Sequence, residues 1–170
     1  MNANNLMAVH AVFDISVNGG PRTYFPNIVP LAGRDMILNL LLHTQAKPAN
    51  WYLAPFAGNV TPADNWTGAN FAANATEFTN YTEISRPELV VAAADAGAIN
   101  NYAARGEITV GSATGANDLV IRGIGVLTSG TKSGTTGFLL SAARLPSDRT
   151  GLVEGDVISL GFSLSLSNGS

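Results

Sequence analysis

The 170-residue chain predicts an all-β, antiparallel fold with one short helix. Three observations lead there. Apolar and polar residues alternate with a period of two near both ends of the chain. The second half is a series of short apolar runs separated by Gly-, Ser-, Asp- or Pro-rich segments, at the spacing of a sandwich or barrel. Only one stretch carries helical spacing.

From Val9 to Val17 the apolar residues Val9, Ala11, Phe13, Ile15 and Val17 alternate with His10, Asp14 and Ser16, which marks a half-buried strand. Asn18-Gly19-Gly20-Pro21 supplies the positive-φ residues of a tight turn, so a returning strand is expected within 22–29. Met36, Ile37, Leu40 and Leu41 recur at helical spacing with Asp35 near the positive end of the dipole, giving a helix near residues 34–43. Trp51 to Ala57 reads as a short strand that Pro55 confines to an edge or bulge.

Residues 61–82 read as a long loop with one helical turn near 70–75, and loops of this length are commonly functional. Further strands are expected over 89–93, 103–110, 119–128, 138–144 and 157–167. In the last, Ile158, Leu160, Phe162, Leu164 and Leu166 share one face and serines line most of the other. Burying five such side chains contributes roughly 1.5–3 kcal/mol each before ordering entropy is subtracted. The segment Ser129 to Gly137 has the composition of an exposed hairpin tip. No internal repeat is evident, and the expectation is one domain over 1–170 that buries roughly 70% of its unfolded surface. Residues 1–7, neutral and Asn-rich, are expected to form a flexible N-terminal arm.

Charged residues make up only 12% of the chain, about half the usual share. Short neutral polar groups are cheaper to desolvate than Lys, Glu or Asp, so this surface suits burial against another subunit. A net charge of -3 and the lack of any basic run argue against nucleic-acid binding. No apolar run approaches a membrane span, and the first residues lack a signal-peptide pattern. With no Cys, disulfides, thiolate zinc sites and cysteine nucleophiles are excluded.

Candidate chemistry is sparse. Gly125 to Ser133 resembles a phosphate loop, but one residue separates Gly130 from Lys132 and the context is β-rich, which favours a plain hairpin loop. His10 and His43, the only imidazoles, lie in no ligand spacing, and no nucleophile elbow is present. Scattered carboxylates such as Asp64, Glu77, Glu83, Asp118 and Asp156 would serve glycoside cleavage only if two converged. Asp64-Asn65, Asn117-Asp118 and Asp156 match no recognised calcium loop and fit turn chemistry better. Sequons at Asn59, Asn65, Asn74, Asn80 and Asn168 follow from Asn/Thr richness. Enzymatic activity is not expected, and no cofactor or metal is implied.

The most informative stretch is Trp51 to Glu83, which holds both tryptophans and only three charged side chains. Its aromatic set, Trp51, Tyr52, Phe56, Trp66, Phe71, Phe78 and Tyr81, is the candidate interface. Two readings compete: core packing beneath the loop, or a hot-spot or sugar-stacking surface. Exposure separates them.

WYLAPFAGNVTPADNWTGANFAANATEFTNYTEISRP, followed by AGAINNYAARGEITV, DLVIRGIGVLTS and GTTGFLLSAARLPSDRTGLVEGDVISLGFSLSLS, resembles small virion proteins of tailed bacteriophages, some similar to head decoration or cement proteins. The resemblance covers roughly residue 36 to the end. It implies a jelly-roll-like β-sandwich, present as a homodimer or homotrimer, that binds major capsid protein on the capsid exterior after synthesis in the host cytoplasm. It carries over no catalytic residue. The rival expectation is a tail-associated or receptor-binding module that contacts a host glycan through the aromatic loop.

Overall fold

The computed structural model describes residues 7–115 and 117–168. The expected N-terminal arm lies outside the described residues apart from Met7, the first residue of strand β1 (Met7–Val17). The remaining elements are β2 (Thr23–Pro26), α1 (Leu31–Leu42), β3 (Tyr52–Phe56), α2 (Phe71–Ala75), β4 (Ala98–Asn100), β5 (Gly106–Thr109), β6 (Ile121–Leu127), β7 (Leu139–Arg149) and β8 (Val157–Asn168). The chain is predominantly β, and every strand pairing is antiparallel.

A five-stranded sheet is centred on β1 and β8, which pair from Met7 opposite Asn168 to Val17 opposite Ile158. The turn after β1 forms as the sequence predicts: Asn18 and Gly19 both take positive φ and β2 returns with Phe25 opposite Phe13. The other edge of β8 is shared by β5, paired at 157–160, and β4, paired at 163–165. Between them the side chain of Asn101 substitutes for backbone. Its Oδ1 accepts the Phe162 N–H at 2.8 Å and its Nδ2 donates to the Leu160 carbonyl at 3.2 Å. A fully buried ladder gap is thereby satisfied, as buried backbone polar groups require.

The second sheet has the order β3-β6-β7, with Pro55 on edge strand β3. Phe13, Ile15, Ile158, Leu160 and Phe162 from the first sheet join Leu53, Ile124, Val126, Leu140 and Leu145 from the second in one hydrophobic core. The opposite face of the second sheet is buried as well. There Ala54, Phe56, Leu127, Leu139 and Ala142 pack against Trp66, Phe71 and Ala75 from the long loop and α2. β6 alternates accordingly: Ile124 and Val126 fill the main core, while Gly123 and Gly125 leave room on the far face. A Cβ at Gly125 would sit 2.5 Å from the Phe71 ring, and one at Gly123 would collide with Phe56.

Several expectations are corrected. The helix begins at Leu31, three residues before the expected start, with Pro30 as N-cap and no side-chain capping bond. Pro is compatible with helix starts because its missing N–H would be unpaired there anyway. Asp35 therefore lies beyond the first turn. Residues 89–93 form no strand; Leu89 N–H bonds the Trp51 carbonyl and Ala92 N–H that of Asn100, and Val90 and Val91 remain exposed. On β8 the inner face is buried only from Ile158 to Phe162, whereas Leu164 is half-buried and Leu166 exposed. β7 runs on past Arg144 to Arg149.

Asp14 lies on the outer face of β1 yet is fully buried. Arg22 pairs with it from the β1–β2 turn and Arg105 from just before β5, its Nε 3.2 Å from Oδ1. Opposite it in register stands Gly161, where a Cβ would collide with the Asp14 carboxylate.

Candidate interaction surface

The aromatic set is resolved by burial. Phe56, Trp66, Phe71, Phe78 and Tyr81 are all buried, at 5% exposure or less, and only Trp51 and Tyr52 are half-buried. Phe56, Trp66 and Phe71 form a closed edge-to-face triad with centroids 6.1 to 6.2 Å apart. Such offset geometry matches the quadrupole of each ring. Trp66 and Phe71 thus cover the far face of the second sheet against Phe56, while Phe78 and Tyr81 pack into the main core, and this burial corrects the interface reading of these five residues. A sugar has no ring face there to stack upon.

Loop and hairpin tip are locked together by charge. Glu77 and Arg86 are buried to 1% and 0% side-chain exposure and form a bidentate pair, Nε–Oε1 at 2.8 Å and Nη2–Oε2 at 2.6 Å. Arg86 also donates to the Ser129 carbonyl, and Glu77 accepts the Ser133 N–H. Both oxygens of Glu83 accept the Thr109 N–H at 3.0 Å. These two carboxylates, candidates for acid–base work on sequence grounds, are committed to the Arg86 guanidinium and to backbone amides.

Lys132, from the stretch that resembles a phosphate loop, donates to the Tyr81 carbonyl at 2.7 Å, and its Nζ lies 3.6 Å from the centroid of the Tyr81 ring. Residues 128–138 are the tip of the β6–β7 hairpin, as expected. Burial draws the Lys132 ammonium below its ordinary range, against the pull of Glu83 and Glu77. Burial pushes the Tyr81 hydroxyl well above the ordinary phenol range, with Glu77 adding to the effect. That hydroxyl finds no hydrogen-bond partner.

Asp118 and Asp156 do turn chemistry, whereas Asp64 makes an ion pair to the helix. Asp64 pairs with Arg34, Asp118 accepts the Thr114 N–H and hydroxyl, and Asp156 accepts the Val153 N–H and an Asn18 amide proton. Among the described residues no group of three or more His, Cys, Asp or Glu converges in a way that would hold a metal. His10 and His43 are both exposed, on β1 and at the α1 C-cap.

The exposed apolar side chains lie elsewhere. On α1, Leu31, Leu38, Leu41 and Leu42 are 52, 54, 62 and 86% exposed, while Gly33 and Met36 face the body. At the tip of the loop that Arg86 anchors, Ile84 is 98% exposed beside a shallow depression of about 500 Å³ lined by Tyr52, Ser85, Gly130, Thr131 and Lys132. Sequence reading missed both. The helix did carry a signal: its apolar residues run around the whole circumference, and such a helix expects cover on every side. No helix among the described residues is long and apolar enough to cross a membrane. No protein-family model matches the chain, and no curated protein matches it in sequence.

Proposed function

We propose that the chain is a bacteriophage head decoration protein, a jelly-roll-like β-sandwich subunit that binds the outside of the assembled head and stabilises contacts between major capsid protein subunits. It would be made in the host cytoplasm, act as a homo-oligomer and reside on the virion exterior. The observation that carries this reading is the pairing of a charge-poor chain with large apolar side chains held outward, Ile84 foremost. Charge depletion with outward apolar anchors is the composition of an interface core.

The Ile84 tip suits a capsid contact because it is braced. The buried Glu77–Arg86 pair and the Arg86 N–H bond to the Gly130 carbonyl fix the loop before any partner arrives, which lowers the ordering cost of binding. Each copy would bury on the order of 1,200–2,000 Å² across a capsomer boundary, and many copies together would raise the temperature at which the shell parts.

The test uses heads stripped of the protein. Purified chain added back is expected to rebind in hundreds of copies per particle by mass spectrometry and to raise the heat and low-salt resistance of the heads. Heads that take up none and gain no resistance would exclude the role.

A further inference from the structure

We infer that Asn18 is a deamidation site held in check by its grip on β8, its side-chain amide being converted to a carboxylate only when the start of β8 lets go. Asn18-Gly19 is the one Asn-Gly pair among the described residues, and glycine, lacking Cβ, leaves its amide nitrogen unhindered for attack on the preceding side chain. In that reaction the Gly19 nitrogen gives its proton to water and bonds to Asn18 Cγ. The Cγ–Nδ2 bond breaks, and the side-chain nitrogen leaves as ammonia with a proton taken from water. Water then opens the cyclic imide at either carbonyl. Breaking the new C–N bond gives aspartate; breaking the original peptide bond gives isoaspartate, whose backbone runs through Cβ and Cγ.

Both residues are exposed, so water reaches them and the restraint is geometric. Asn18 Nδ2 donates to Asp156 Oδ1 and Asn18 Oδ1 accepts the Val157 N–H, each at 2.8 Å, while the Asn18 N–H donates to the Val157 carbonyl at the same distance. Asn18 and Gly19 both take positive φ, and the Gly20 N–H bonds the Val17 carbonyl, which closes a type I′ turn. In the mirror image of a type I turn the first central residue has ψ near about +30°, which turns the following nitrogen away from its side chain. Swinging the Gly19 nitrogen onto Cγ therefore requires the turn to open, and the three bonds to 156–157 oppose that motion. Asp156 also makes the product a poor fit. Aspartate at 18 places an oxygen where Nδ2 donated, so two carboxylates meet at hydrogen-bond distance beside the last pair of the β1–β8 ladder, Val17 opposite Ile158.

The inference concerns the isolated chain and does not depend on the decoration reading; failure to bind heads would leave it intact. The full chain is aged in mildly alkaline buffer, folded and in urea above the unfolding midpoint, and conversion of Asn18 is followed by peptide mass mapping. Conversion is expected to be about tenfold or more slower in the folded chain, because only the opened fraction reacts. Asp156→Ala removes one restraint and is expected to speed conversion in the folded chain severalfold with an unchanged circular dichroism spectrum. Asn18→Asp, the product made directly, is expected to lower the urea midpoint at neutral pH. That deficit shrinks below about pH 4, where one carboxyl takes a proton and donates it to the other. Equal rates in folded and unfolded wild type, no acceleration in Asp156→Ala, or an Asn18→Asp deficit that ignores pH overturns the inference.

Discussion

Glu77 and Arg86 meet as a two-pronged ion pair with almost no solvent contact, the acid at the end of the α2 turn and the base nine residues on. Removing one partner would strand the other as a buried, unpaired charge. Arg86→Ala is therefore expected to cost about 3–5 kcal/mol, whereas the joint change Glu77→Gln with Arg86→Met is expected to be much milder than Arg86→Ala alone. Urea unfolding of the three proteins measures this.

Trp66 is buried in the core, so Trp66→Ala is expected to destabilise the whole fold by about 3–5 kcal/mol. A variant of unchanged stability would return the aromatic loop to the status of a surface. Thermal unfolding followed by near-UV circular dichroism separates the outcomes.

The Tyr81 hydroxyl is buried without a partner, and its desolvation is uncompensated. Tyr81→Phe keeps the ring beneath Lys132 and beside Phe78 while deleting the orphan oxygen. It is expected to raise stability by about 1 kcal/mol in denaturant titration.

Asp14 and Gly161 face each other across the β1–β8 ladder, and the carboxylate occupies the space a Cβ would need. Gly161→Ala is expected to cost about 1–3 kcal/mol through overpacking against a charge that Arg22 and Arg105 hold in place. The urea midpoint should fall with the m-value unchanged.

Asp118 and Asp156 give the fold an acid dependence. Hydrogen bonds from Thr114 hold the Asp118 carboxyl below its usual range, and those from Val153 and then Asn18 do the same for Asp156. A group whose folded-state value is depressed contributes stability that is present above the unfolded value, near pH 4, and is lost as pH falls through the folded one. The double variant Asp118→Asn, Asp156→Asn is expected to lose less stability than wild type between pH 5 and pH 2. Denaturant midpoints at those two pH values check it.

Legibility of the sequence followed the length of each pattern. β1 and β8 carry many alternations and were readable in place, as was the Asn18-Gly19 turn. β4 was invisible because three residues hold no periodicity, and the side chain of Asn101 carries the hydrogen bonding onward from it. β7 read as ending at Arg144 because Pro146 interrupts the pattern, yet β7 is an edge strand, where proline is tolerated. The aromatic loop was conspicuous in sequence, but its burial depended on Gly123 and Gly125, far along the chain, clearing a floor for Phe56 and Phe71. The outward leucines of α1 are not legible for the opposite reason: helical spacing identifies a helix without saying which of its apolar sides meets the body.

β8 hydrogen-bonds to β1, β4 and β5, three partners drawn from both halves of the chain. During synthesis none of those pairings exists until the ribosome has passed residue 157, so β1 must wait through about 140 codons for its neighbour, and at translation rates of about 5–20 residues per second that delay lasts on the order of ten seconds. Its apolar side is a hazard throughout that interval. A holdase that covers β1 during that interval should therefore raise the soluble yield.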